Sequence, residues 1–396
     1  MSGTRRKPGS LGPFVEGYRA RLLELGYTPG TVRGMLKVLG RLGRWMASAG
    51  LEQLDAAAVE AFVAHRRTDG DRQVTVRALG QLLRYLREVG LTAPEEPPQL
   101  TPLERLLSEY REWLVLQRGL ASATVHRYEA LARRFLGERL APADELGVVA
   151  LTGAEISAFL VREGARLAVG SAKGRVAELR SLLRFLHLRG LTSLALAEAV
   201  PPMAGWRDTG IPLTIARNEV ERLLGGCDRS RLDGVRDYAI LTLLARLGLR
   251  SVEVARLTLD DLDWRRGELL VRGKARRVDR LPLPGDVGEA LAAYLSLRGQ
   301  HASRRVFLTL RAPTRPIRAD LVGDVVQRAC RRAGVRHVGA HRLRHALASE
   351  LLRKGASLIE ISQVLRHRDL ATTAIYAKID LGRLRQVAQS WPGELR

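Results

Sequence analysis

HRLRHALASELLRKGASLIEISQVLRHRDLATTAIYAKI (341–379) decides how the C-terminal half of this chain is read. The stretch 341–355 has helical periodicity and ends at Gly355. Ser357 and Glu360 form a capping-box pattern that opens the next helix. Asp369 is placed to cap a third helix, the one carrying Tyr376. On the first helix His341, Arg344 and His345 stand at i, i+3 and i+4 and share one face.

Working back from this stretch, residues 319–333 and 286–298 read as helices. Between 261 and 283 the pattern changes to three short strands, LDW, ELLVRG and VDRLPLP, joined by turns at RRG and GKARR. RDYAILTLLARL (236–247) is apolar nearly all round, which predicts a buried helix stopped by Gly248, and a shorter helix is expected over 219–225. Residues 211–396 therefore form a mixed α/β domain in a chain that is otherwise helical.

The N-terminal half contains a repeat. GYTPGTVRGMLKVLGRL (26–42) matches GLASATVHRYEALARRF (119–135), LEQLDAAAVEAFVAHRR (51–67) matches LTGAEISAFLVREGARL (151–167), and LLRYLREVGLT (82–92) matches LLRFLHLRGLT (182–192). Each copy reads as four or five amphipathic helices, predicting tandem domains over 12–92 and 102–192. Proline keeps TAPEEPPQL (92–100) and VPPMAGWRDTGIPL (200–213) out of helices, so both are linkers. Residues 1–11 read as a flexible basic arm with no apolar segment behind it, not a secretory signal.

The chain has 396 residues, and its hydrophobic fraction of 46% is enough to bury real cores. Lys+Arg 65 against Asp+Glu 42 gives +23, which favours a polyanionic partner. The excess is uneven: 35 basic less 20 acidic residues over 211–396 is +15, whereas 30 less 22 over 1–210 is +8. No apolar run is long enough to span a bilayer, so no membrane role is expected. Cys227 and Cys330 are the only cysteines, too few for a disulfide framework or a cysteine-built zinc site, and a reducing, cytoplasmic compartment is expected. Only six lysines are present among many arginines, which makes Lys274, in the GKARR turn, informative.

Six residues then stand in a particular order. Arg250 and Lys274 are 24 apart, His341 and Arg344 are 3 apart, His367 follows 23 later, and Tyr376 comes 9 after that. Each alone is ordinary, but the ordered set in a basic domain resembles the tyrosine recombinase family (phage integrases and XerC/XerD-like enzymes). The resemblance covers about 211–385, and 102–192 is similar to the family's core-binding domain. It implies two tandem SAM-like helical DNA-binding domains followed by a catalytic domain. The copy at 12–92 is additional to the minimal family layout and is expected to bind neighbouring DNA or to serve assembly.

What the resemblance implies fits the chemistry of breaking a phosphodiester with an attached nucleophile. That reaction needs an in-line nucleophile, neutralised non-bridging oxygens and a proton for the departing oxygen. Tyr376 is the implied nucleophile, forming a 3′-phosphotyrosine, and its ordinary pKa near ~10 calls for nearby positive charge. Arg250 and Arg344 are the phosphate clamps, with Glu253 behind Arg250 or complementing a helix dipole. His341 is expected to bond the phosphate or exchange a proton with the tyrosine, and His367 to donate to a non-bridging oxygen. Lys274 protonates the leaving 5′-hydroxyl, because a lysine can give up a proton where an arginine cannot. His345 is expected to be structural, and the HxxRH spacing has no further ligands for a metal. The family usually has glycine before the last histidine. Here the residue is Arg366, a candidate extra phosphate contact.

The expected activity is therefore site-specific DNA strand exchange without ATP, metal or other cofactor, on double-stranded DNA. A homotetramer on two DNA sites is implied, with the tail after Tyr376 and its Trp391 docking into a neighbouring protomer or packing on its own domain. A type IB topoisomerase and a catalytically silent DNA-binding descendant are the alternatives.

Overall fold

The computed structural model describes residues 9–51, 53–68, 76–92, 100–138, 151–165, 167, 169–201, 215–273, 277–367, 369 and 371–376. The fold is mainly helical with one small sheet. The chain forms two compact units, 94–207 and a second that joins 1–93 with 208–396.

The first helical module contains α1 (Val15–Glu24), α2 (Pro29–Ser48), α3 (Ala56–Thr68) and α4 (Val76–Glu88). The Thr28 hydroxyl accepts the Thr31 N–H and Pro29 follows at the first helical position, a start signal written into the sequence. Gly9–Phe14, whose first residues were expected in a flexible arm, instead form a 3-10 turn. The reason is apolar burial: Leu11 is buried with Tyr18, Leu22, Leu39, Met46 and Phe62 in the module's core. The Leu25 carbonyl of this module accepts the Thr314 N–H at 2.7 Å.

The second module contains α5 (Pro102–Leu116), α6 (Ser122–Gly137), α7 (Gly153–Gly164) and α8 (Val169–Leu188), around a core that includes Tyr110, Phe135, Phe159 and Phe185. The repeat read from sequence is visible in its details. Leu82, Leu83 and Leu86 are buried in one copy as Leu182, Leu183 and Leu186 are in the other. The Leu91 N–H bonds the Leu86 carbonyl, and the Leu191 N–H bonds that of Leu186, both at 2.9 Å. Gly90 and Gly190 supply the positive φ that closes each helix.

Residues 215–376 are built around α10 (Leu232–Arg246), which is buried on nearly every side, as its apolar sequence predicts. Packed with it are α9 (Arg217–Gly225), α12 (Gly285–Arg298), α13 (Ala319–Arg332) and α14 (Ala340–Arg353). The short α11 (Ser251–Arg256) leads to the sheet β1 (Leu262–Asp263), β2 (Glu268–Arg272) and β3 (Val278–Pro282). The strands are antiparallel in the order β1-β2-β3, with Leu269 opposite both Leu262 and Leu281. The β2–β3 hairpin is closed by a bond from the Gly273 N–H to the Arg277 carbonyl. α15 (Leu358–Leu365) has the predicted Ser357/Glu360 capping box, and α16 (Ala371–Ala374) ends two residues before Tyr376. Among the described residues no helix is long and apolar enough to cross a membrane.

Candidate active site

Gly248 organises one side of the site. It ends α10 at φ +59, and a Cβ there would lie 2.9 Å from Leu365 Cδ2 and 3.1 Å from Leu347 Cδ2. Glycine answers both constraints, so α10 can meet α14 and α15 closely. The Gly248 carbonyl accepts one arm of the Arg344 guanidinium, and the Leu365 carbonyl accepts the other. Arg344, expected as a phosphate clamp, is buried and ties the ends of α10 and α15 together. Burial, with the charges of Arg250 and Arg366, pushes its pKa down to about 9.

Arg250 lies immediately before α11 and is partly exposed. Glu253 is buried one turn on and bonds Arg250 twice. Its Oε2 accepts the Arg250 backbone N–H at 2.8 Å, capping the helix, and its Oε1 accepts Arg250 Nη1 at 2.7 Å, fixing the guanidinium. Burial raises the Glu253 carboxyl, but the Arg250 backbone bond and the Arg366 and Arg250 charges outweigh it, leaving the group below its ordinary value.

Arg366, a candidate phosphate contact in the sequence, is paired within the protein. It takes the left-handed conformation at φ 56, ψ 46, where a side chain costs about 1–2 kcal/mol relative to the right-handed region. Glycine is the usual residue for such a helix end. The arginine is buried, and its Nη2 donates to Glu253 Oε2 at 3.0 Å, so Glu253 and not solvent receives its charge.

Tyr376 closes the other side. It is 1% exposed and packs with Ala348, Leu352, Ile361 and Leu365. Its hydroxyl is 2.7 Å from Nδ1 of His345, and its ring stacks on that of His367 at 6.4 Å between centroids. Burial raises the phenol above its ordinary value, against the pull of Arg344. His367 Nδ1 is 2.7 Å from the buried Thr373 hydroxyl. Burial and neighbouring cationic groups hold both His345 and His367 down at about 4, so both rings are neutral at pH 7. His341 is on the exposed side, 5.9 Å from the His345 ring, and is also held low by partial burial and the charges of Arg344 and Arg250.

The structure thus gathers Arg250, His341, Arg344, His367 and Tyr376 into one region, with Arg250 and Arg344 both acting electrostatically on His341 and His367. Lys274 lies outside the described residues, as do the tail and Trp391. His345, expected to pack or bond structurally from the face it shares with His341, does bond, to the Tyr376 hydroxyl. Arg366, singled out in sequence as a candidate phosphate contact, instead pairs with Glu253, a partner that its distance in sequence hides.

Residues 214–382 match the model of the phage integrase family. A putative integrase/recombinase of Sinorhizobium fredii is 38% identical over 99% of this chain and 97% of its own length. Tyrosine recombinase XerD of Mycobacterium tuberculosis is 32% identical over 72% of this chain and 96% of its own. The fold is similar to that of the XerH site-specific recombinase in a post-cleavage complex with a palindromic difH substrate, with a TM-score of 0.52, 19% identity, and coverage of 73% of this chain and 97% of that one. By these similarities the chain belongs to the tyrosine recombinase family of phage integrases and Xer enzymes.

Proposed function

We propose that this protein is a site-specific DNA recombinase that cuts and rejoins strands through a covalent bond to Tyr376. The Tyr376 hydroxyl passes its proton to the neutral His345, whose Nδ1 is 2.7 Å away, as its oxygen attacks the scissile phosphorus in line; the P–O5′ bond breaks, and a 3′-phosphotyrosine forms. The departing 5′-oxygen takes a proton, assigned to Lys274. Arg250 and His367 stabilise the non-bridging oxygens as charge builds on them, Arg344 adds its positive charge from the junction of α10 and α15, and His341 bonds the phosphate from the exposed side. A 5′-hydroxyl of a second duplex, giving its proton back to Lys274, then attacks the phosphotyrosine, restoring the phosphodiester and releasing the tyrosine oxygen, which recovers its proton from His345. The energy of the broken bond is kept in the ester, so the reaction as written uses no ATP and no metal.

The observation that carries this reading is the convergence of Tyr376, His367 and the two arginines from elements far apart in sequence. The relatives compared are integrases and Xer recombinases, which favours strand exchange over relaxation of supercoils. In this reading the helical repeats at 12–92 and 102–192 and the domain at 211–396 close around duplex DNA. Four protomers act on two sites, and the enzyme works in the cytoplasm at the nucleoid.

The test is covalent trapping on sheared DNA from the source genome, comparing wild type with Tyr376→Phe. Denaturant-resistant adducts at discrete sites with wild type alone are expected. Equal, scattered recovery with both proteins would leave a DNA-binding protein without strand chemistry.

A further inference from the structure

Arg366 is the one non-glycine residue with positive φ among the described residues, and it is buried there. A long charged side chain in a conformation that glycine adopts without strain has to be held by something. Its Nη2 meets Glu253 Oε2 at 3.0 Å and its Nη1 meets the Val364 carbonyl at 3.1 Å. The Glu253 carboxylate is therefore shared between two arginines. Arg250 takes Oε1 with its side chain 35% exposed, while Arg366 takes Oε2 with its side chain 3% exposed.

This sharing has two physical consequences. An Arg250–Glu253 pair alone has no net charge, and the carboxylate would oppose the attraction of Arg250 for a phosphate. Arg366 returns the cluster to a net positive charge from within a poorly screened interior. It also holds Glu253 from behind, on the α15 side, so the carboxylate that orients Arg250 has less freedom to turn. Arg366 itself spends its guanidinium on Glu253 and the Val364 carbonyl.

From this geometry we infer that Arg366 is a positioning residue for strand cleavage, acting through Glu253 on Arg250. The inference rests on the proposed role of Arg250 at the phosphate. Its substrate effect falls on the transition state, where charge on the phosphate oxygens grows, and not on DNA affinity as a whole.

The experiment uses the full chain and a nicked duplex built on a sequence recovered by the trapping described above. It measures the single-turnover rate of covalent adduct formation and, separately, duplex affinity. Arg366→Gly removes the guanidinium while easing the backbone, and is expected to slow adduct formation about 10- to 100-fold, the scale of a misplaced reacting group, with affinity unchanged. Arg366→Lys, which keeps the charge, is expected to recover part of the rate. In an Arg250→Lys background the further change Arg366→Gly is expected to add little, because the group being positioned has already been altered.

Wild-type rates with Arg366→Gly would overturn the inference, as would an equal loss in both backgrounds. If the glycine variant does not fold, Arg366→Asn, which tolerates the same φ, takes its place with the same expectations. Tyr376→Phe and Arg250→Ala run alongside. Adducts formed by either would overturn the reading of the site itself, whereas their loss with Arg366→Gly intact would overturn the positioning role alone.

Discussion

The Nδ1 of His345 and the hydroxyl of Tyr376 are 2.7 Å apart, and the tyrosine is almost completely buried. The pair couples α14 to the segment after α16, so the proposed nucleophile is held against the protein. A His345→Leu change would leave a buried hydroxyl unpaired, and is expected to cost about 1–3 kcal/mol. Combining it with Tyr376→Phe should recover much of that loss, since neither partner is then left alone. Urea midpoints of the two single variants and the double variant measure this coupling; simple additivity would mean the bond is not formed in solution.

Acid should weaken the fold. The folded pKa values of His345 and His367 are both about 4, below the ordinary value near ~6.5 of an unfolded histidine. Between these limits the unfolded chain binds more protons than the folded one, so stability rises with pH and is lost as pH falls through that window. Urea unfolding at neutral pH and near the middle of the window should show this drop, and replacing both histidines by asparagine should flatten it. An unchanged pH dependence in that double variant would assign the effect elsewhere.

Gly248→Ala tests the meeting of α10 with α14 and α15. The added methyl would press on Leu365 and Leu347 at a positive φ, a combination expected to cost about 1–3 kcal/mol. Because the Gly248 carbonyl holds Arg344, adduct formation should fall further than the lost stability explains. Thermal unfolding together with trapping at a temperature where the variant is folded separates the two effects. A stable variant with normal adduct formation would show that this contact is not required.

Duplex binding should be steeply salt-dependent. The excess of +15 over 211–396 implies many phosphate contacts, and affinity is expected to fall by orders of magnitude between ~50 and ~200 mM salt. Titrations at several salt concentrations give the slope directly; a flat response would make the charge incidental to DNA.

Most of the architecture could be read from the chain because the signals were local. Helical periodicity placed α10 and α14, Gly248 and Gly355 marked helix ends, and Ser357 with Glu360 announced α15. The repeated leucines of the two helical modules point inward in both copies because each amphipathic face has only one way to leave water. The six-residue spacing was sufficient to suggest the site, since residue type and order survive in the sequence.

Contacts between distant segments could not be read this way. Periodicity says which face of α14 is apolar, but not that His345 meets Tyr376 from across the fold. It says nothing of Arg344 spending its guanidinium on the ends of α10 and α15. Nor does the string LRHRD show that Arg366 turns inward to Glu253, 113 positions away. Such pairings follow from how packed helices converge, and a buried charge must find whichever partner that convergence provides. Chain order determined which chemical groups are present; tertiary packing decided which of them face a substrate and which hold the others in place.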